Sequence, residues 1–241
     1  TESMRARGIR VLAGTRLAAS PGFSGVQGET SVSLSPVWSP DGSEVVFAAT
    51  TGRWTAVYAN VGYQIYRTAA AGGIEPRPVG PEVGDYDQPT FSPDGKWLYA
   101  TYAPQDGEIY HLPRLVRIPW PGGGSLAQVT RGFDREPARF VVSPDGRTAW
   151  MAVPEAGLEN IYRVATSGGA PEKVVAPATG GYTALAMGTH TQHPVLIAAY
   201  GSSVSPAEIV RVDLSTGRHV TLTSFDTAAA AAIDWSPPTH F

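Results

Sequence analysis

One turn sequence, written three times at nearly constant spacing, constrains this chain more than any other feature. Ser39-Pro40-Asp41-Gly42 returns as Ser92-Pro93-Asp94-Gly95 and as Ser143-Pro144-Asp145-Gly146, at intervals of 53 and 51 residues. A second marker keeps the same period. It comprises Gln64-Ile65-Tyr66-Arg67, Leu115-Val116-Arg117, Asn160-Ile161-Tyr162-Arg163 and Glu208-Ile209-Val210-Arg211, with arginines 50, 46 and 48 residues apart. A glycine pair begins five residues after each of the first three arginines, at Gly72, Gly122 and Gly168; in the fourth copy Thr216-Gly217 replaces it. Two independent markers on one period define an internal repeat, and periods of this length belong to solenoids, propellers or arrays.

The chemistry of each marker says which. Ser-Pro-Asp-Gly is a type I turn sequence: Ser opens it, Pro pre-sets the next backbone angle and Gly ends it. Such turns join antiparallel strands. The segments that follow, Val45-Val46-Phe47, Lys96-Trp97-Leu98-Tyr99 and Ala149-Trp150-Met151, are apolar on both faces, as strands covered on both sides are. Ile-Tyr-Arg reads as a third strand, the glycine pair as the next turn, and Lys173-Val174-Val175 or His219-Val220-Thr221-Leu222 as a short fourth strand. Four strands per repeat predict an all-β fold, a β-propeller of about four four-stranded blades.

The expected blades cover roughly 31–80, 85–131, 135–176 and 181–224 of a single domain spanning 1–241. Partial blades are expected at both ends: Ile9-Arg10-Val11-Leu12 as a leftover strand, and Trp235-Ser236-Pro237-Pro238 as a fifth opener. The fourth copy is eroded, its turn falling near Met187-Gly188-Thr189. Ala228 to Ala232 favours helix but is brief, so a loop or a single turn is expected there.

Composition narrows the function classes. Gly (27) and Pro (21) make up about a fifth of 241 residues, in keeping with many turns. The net charge of -3 carries no basic excess, so no nucleic-acid partner is expected. No apolar run is long enough to span a bilayer, so no membrane partner is expected either. Without cysteine there is no disulfide framework and no thiolate metal site. No cofactor is implied. The first residue is Thr1, which suggests a processed product or a piece of a longer chain. Cytoplasm and periplasm both stay open, the periplasm slightly favoured.

The run Leu34 to Gly42, followed by a Tyr-Arg strand and a Gly-Gly turn, resembles the TolB-like or WD-type blades of serine peptidases of the prolyl oligopeptidase family. The tail is more specific. Glu208 to Gly217, then Leu222 to Asp226, then Trp235 to Pro238, resembles the last blade in the acylaminoacyl-peptidase and dipeptidyl-peptidase branches. The resemblance implies a propeller of seven or eight blades, of which this chain is a portion. It implies an α/β-hydrolase domain after Phe241, capped by the propeller so that only short peptides or unfolded chain ends enter. Catalysis there uses a serine at a nucleophile elbow with Asp and His partners. This sequence contains no G-x-S-x-G; Gly22-Phe23-Ser24-Gly25 comes near, but Val26 stands where the second glycine is needed. The expected partners are therefore a catalytic domain of the same protein and the peptide substrates of the parent enzyme. A homo-oligomer stays open, because an open stack leaves strand edges that another copy could pair with. The alternative is a TolB-like interaction propeller without activity. A glycan- or lactonase-type propeller enzyme would need carboxylates converging on the axis, and the repeat provides no such set.

Candidate site residues each have a plainer reading. Trp54 and Tyr58, in the long insertion between Thr50 and Gly62, are candidates for contact with substrate or catalytic domain; aromatic residues also serve as core. Asp85 and Asp87, and Arg135 and Glu136, precede strands that lead into the repeat turn and could line one face; loop capping is the structural alternative. Arg67, Arg117, Arg163 and Arg211 could form a ring of positive charge near the channel, or could pack their apolar stems on neighbouring blades. Asp41, Asp94 and Asp145 are explained by their turns rather than by metal. His190 and His193 form H-x-x-H, but no further zinc ligands stand nearby. No catalytic or metal-binding residue is assigned.

Overall fold

Each of the first three sheets grows from its Ser-Pro-Asp-Gly turn. In a computed structural model, which describes residues 35–50, 61–80, 83–108, 110–122, 124–188 and 195–237, the three turns are bonded alike. In the first, Gly42 N–H donates to Ser39 O (2.8 Å) and Ser39 N–H to Glu44 O (2.9 Å). Ser39 Oγ donates to Asp41 (2.6 Å) and accepts the Glu44 N–H (2.9 Å), while Asp41 takes the Ser43 N–H (3.1 Å). The same bonds recur around Ser92 and Asp94 and around Ser143 and Asp145. Gly42, Gly95 and Gly146 have φ of 71°, 70° and 70°, a left-handed conformation that glycine adopts at least cost.

Among the described residues, sixteen strands follow in four antiparallel quartets, each paired in chain order. The first blade has β1 (Val37–Trp38), β2 (Glu44–Ala49), β3 (Gln64–Ala69) and β4 (Arg77–Pro78). The second has β5 (Gly84–Phe91), β6 (Trp97–Pro104), β7 (Arg114–Pro119) and β8 (Ala127–Gln128). The third has β9 (Arg139–Val142), β10 (Thr148–Glu155), β11 (Leu158–Ala165) and β12 (Glu172–Val175). The fourth has β13 (Gly181–Met187), β14 (Leu196–Ser202), β15 (Ser205–Val212) and β16 (His219–Thr221). A parallel bridge between Glu159 and Gly181 joins the third blade to the fourth. The fold is the expected β-propeller pattern, with the turn, the Ile-Tyr-Arg strand and the glycine pair in the expected order.

Details at the ends and in the fourth blade are specific to the structure. Where the repeat turn is eroded, Gly188 N–H donates to Val195 O (3.1 Å); residues 189–194, with His190 and His193, lie outside the described residues. The alanine run gives a one-turn helix, α1 (Thr227–Ala230). Trp235 to Pro237 form no strand, and the Trp235 indole donates to Ala230 O (2.8 Å). Ile9 to Leu12 lie outside the described residues. Among the described residues, no helix is long and apolar enough to cross a membrane.

The core is divided between blades rather than gathered in one place. Alternate residues of a strand face opposite neighbours, so each inner blade contributes to two cores. Leu98, Ala100, Val116 and Ile118 of the second blade pack with Val46, Ile65 and Val79 of the first. Tyr99, Leu115 and Val129, on the other face, pack with Phe140, Met151, Tyr162 and Val164 of the third. Trp150, Ile161 and Val175 then pack with Tyr182, Leu196, Val210 and Val212 of the fourth. Apolarity on both faces of the second strands thus has its reason: both faces are interfaces.

The fourth blade repeats this pattern without a covering sheet among the described residues. Val46, Tyr99, Trp150 and Ile197 all sit opposite the repeat arginine. Ile65, Leu115, Ile161 and Ile209 precede that arginine by two. Val79, Val129 and Leu222 donate their N–H to the residue at that place. Ile65, Leu115 and Ile161 are fully buried, whereas Ile209 is 36 % exposed and Leu222 52 % exposed.

This arrangement predicts unequal responses to truncation. Leu115→Ala should cost about 2–5 kcal/mol, the range for a large-to-small change in a packed core. Leu222→Ala should stay within about 0.5 kcal/mol, as exposed substitutions do. Denaturant titration of this chain measures both, and equal losses would contradict the stacked arrangement.

Candidate functional site

Two kinds of connection leave each blade at the end opposite the Ser-Pro-Asp-Gly turns. They are the loops between second and third strands and the links from one blade to the next. Asp85 and Asp87 lie there, on β5, and both tie the second blade to the first. Asp85 accepts the Tyr63 N–H (3.0 Å), and Tyr86 N–H donates to Tyr63 O (2.7 Å). Asp87 accepts from Ser35 Oγ (3.3 Å) and from the Gln88 N–H (2.7 Å). Gln88, at φ 55°, turns its side-chain amide to Ala138 O of the third blade (2.9 Å). The protein crowded around Asp85 raises its pKa by desolvation; the Tyr63 amide opposes this and the Asp87 charge adds to it. These two aspartates therefore act as inter-blade tethers.

Arg135 belongs to a charged network centred on Glu155. Its guanidinium lies 3.1 Å from Asp134 and 3.4 Å from Glu155. Glu155 also accepts the Tyr162 hydroxyl (3.0 Å) and the Asn160 amide (2.8 Å), and it pairs with Lys173. Ala156 (φ 51°) and Gly157 (φ 78°) form the tight turn that places Glu155 beside Asn160. Glu136 is exposed and has no ion-pair partner among the described residues. Trp54 and Tyr58 lie outside the described residues.

Beside this network, a groove of about 470 Å³ separates the β10–β11 turn from the start of β13 and the β14–β15 turn. It is lined by Gly157, Glu159, Gly180, Gly181, Ser202 and Ser205, among others. Glycine is required here by space. A Cβ on Gly180 would lie 2.1 Å from Gly201 O, and one on Gly181 would lie 2.7 Å from the Glu159 Cβ. Glu159 has no hydrogen-bond partner for its carboxylate among the described residues, and burial raises its pKa. A lone carboxylate in a groove floored by backbone suits a protonated amine or the N–H groups of an extended peptide.

The repeat arginines have individual surroundings rather than a shared one. They stand on β3, β7, β11 and β15, the third strand of each blade. Arg67 donates to Pro121 O of the second blade (2.5 Å) and lies over Trp120 (5.2 Å). Arg163 pairs with Glu172, and Arg211 is exposed. Asp41, Asp94 and Asp145 are held by their turns. Among the described residues, Asp106, Glu108 and His111 form a trio of potential metal ligands on the β6–β7 loop. His111 Nε2 lies 2.9 Å from both Asp106 oxygens, so direct hydrogen bonding explains the cluster.

Sequence reasoning singled out Arg135 but missed Glu155, Lys173 and Glu159. The adjacent glycines at 180–181, outside the repeat pattern, were the available signal for the groove. For Glu155 no signal existed, because its partners come from three separate segments: the loop before β9 (Arg135), β11 (Asn160 and Tyr162) and β12 (Lys173).

Acid should weaken this network. The Lys173 ammonium, then the Tyr162 hydroxyl, lower the Glu155 pKa to about 2 from 4.5. Turn hydrogen bonds, led by Ser39 and by Ser215, hold Asp41 and Asp213 at about 2. A carboxylate with a depressed folded pKa stabilises the fold above its unfolded pKa, and this contribution disappears as pH falls through the folded value. Stability should therefore fall between about pH 4.5 and about pH 2. Glu155→Gln should flatten that fall, and denaturant midpoints across the range check it; an unchanged slope would remove Glu155 from the network.

No family model matches the chain, and no curated protein matches it. Solved structures do. A TolB protein of Agrobacterium tumefaciens matches with TM-score 0.57 and 18 % identity, over 76 % of this chain and 62 % of its own. Acylaminoacyl peptidase of Pyrococcus horikoshii matches with TM-score 0.57 and 16 % identity, over 86 % of this chain and 29 % of its own. The β-propeller domain of the Trilobed protease of Pyrococcus furiosus matches with TM-score 0.55 and 14 % identity, over 79 % of this chain and 52 % of its own. The chain thus spans less than two thirds of the length of each. In fold it is a β-propeller like that of TolB and those of these two peptidases.

Proposed function

We propose that this chain is the non-catalytic propeller portion of a serine peptidase and gates the access of peptides to an α/β-hydrolase domain. The observation that carries this reading is the likeness to acylaminoacyl peptidase, which extends over 86 % of this chain but only 29 % of that one. The absence of G-x-S-x-G from the full sequence agrees with it. Exposed Ile209 and Leu222, at positions buried in the other blades, support a propeller that continues against a further sheet. On this reading the Glu159 groove and the Arg135–Glu155 network line the face past which a peptide travels. The parent protein hydrolyses peptide bonds of short peptides.

A second reading is a TolB-like propeller that binds a protein partner and has no activity. The Agrobacterium TolB favours it, because 62 % of that protein is matched.

The two readings differ in the gene beyond the codon for Phe241. The peptidase reading expects roughly 250 further residues, a domain-scale length, with α/β pattern and a G-x-S-x-G. The longer product should hydrolyse peptide nitroanilides, and the 241-residue chain alone should not. A stop codon directly after Phe241 would reject the peptidase reading. Turnover by the purified short chain would reject both.

A further inference from the structure

Three of the four repeat arginines stand on a sheet face that the next blade covers. Two of these have anionic partners. Arg67 lies 3.6 Å from Glu44, and Arg163 binds Glu172 through Nε (2.9 Å) and Nη2 (2.8 Å). Arg117 has neither. The place of Glu44, five residues after the turn serine, is held by Trp97 in the second blade. The place of Glu172, the cross-strand partner, is held by Ala127. Arg117 instead lies over the Trp97 ring, its Cζ 4.2 Å from the centroid. Its Nε is buried without a hydrogen-bond partner, and its guanidinium forms no ion pair among the described residues.

A cleft of about 310 Å³ opens at this arginine between the second and third blades. Most of its polar lining is already engaged. Ser92 donates to Asp94 (2.6 Å), Asp94 takes the Lys96 N–H (3.1 Å), and Asp145 takes Ser143 Oγ (2.5 Å) and the Arg147 N–H (3.0 Å). Thr166 donates to Gly146 O (2.7 Å). The Arg117 guanidinium and the Tyr99 hydroxyl remain, both lining the cleft and both without a hydrogen-bond partner among the described residues.

We infer that this cleft is a binding site for a carboxylate. A guanidinium matches a carboxylate through two parallel hydrogen bonds, and a buried donor without a partner is costly until one arrives. Trp97 holds the guanidinium plane, and Tyr99 provides another donor. Asp94 and Asp145 at the rim favour a single negative charge over a phosphate dianion. The volume, at the small end of ligand pockets, suits a small organic acid or the C-terminus of a peptide. This site stands apart from the opposite loop end and does not depend on the peptidase reading.

Calorimetry with the 241-residue chain tests it, using benzoate, the tripeptide Ala-Ala-Phe, their amides and inorganic phosphate. At least one acid should bind with a dissociation constant of about 1 mM or tighter and should shift the NMR signal of the Arg117 Nε–H; amides and phosphate should not. Benzoate alone binding identifies a free organic acid as the ligand; Ala-Ala-Phe alone identifies a peptide C-terminus. Arg117→Gln should weaken binding at least roughly tenfold. Ala127→Glu should do the same while keeping the fold, because it supplies the partner that Glu172 gives Arg163. The inference fails if neither acid binds at about 10 mM, if the amides bind as well as the acids, or if Ala127→Glu leaves binding unchanged.

Discussion

Burial of each sheet face against the next sheet is the interaction on which this structure depends. A two-residue strand such as β4 or β8 has almost no cross-strand support, and an isolated small sheet is marginal in water. Stacking changes that. Val79 and Val129, just beyond those short strands, are nearly inaccessible because a neighbouring blade covers them. Each large aliphatic side chain buried this way contributes about 1.5–3 kcal/mol. Stability is thus shared between neighbours in series, as in other repeat architectures.

Polar bonding fixes how the stacked sheets register. The Ser-Pro-Asp-Gly turns close the hairpins at one end and approach one another in sequence: a Cβ on Gly95 would lie 2.8 Å from Pro40. At the other end Asp85, Asp87 and Gln88 reach from β5 to both neighbouring blades. The two ends therefore differ in kind. One is a repeated structural closure, and the other is built from links of unlike sequence. Variation in those links produced the Glu155 network and the Glu159 groove without disturbing the cores.

Departures from the repeat are where chemistry becomes available. In the first and third blades a glutamate neutralises the repeat arginine. In the second, Trp97 and Ala127 leave Arg117 without that charge, and a cleft is found there. In the third blade Glu155 gathers Arg135 and Lys173, an arrangement without a counterpart in the other blades among the described residues. A repeat provides the scaffold; the substituted positions give it distinct binding surfaces.

The amino-acid sequence by itself determined the four-stranded repeat unit, the turn type, the strand order within each blade and the two-faced apolar strands. These follow from local backbone preference and from periodicity, both of which are written in neighbouring residues. It also indicated Asp85, Asp87 and Arg135 as loop-end residues, but not what they touch. Only the tertiary structure decided that Asp85 and Asp87 are tethers, that Glu155 joins Arg135 to Lys173, and that Arg117 alone of the covered arginines lacks an anion. Those outcomes depend on which side chains from segments 20 to 50 residues apart meet, within one blade or across a blade interface, and no local pattern encodes that meeting.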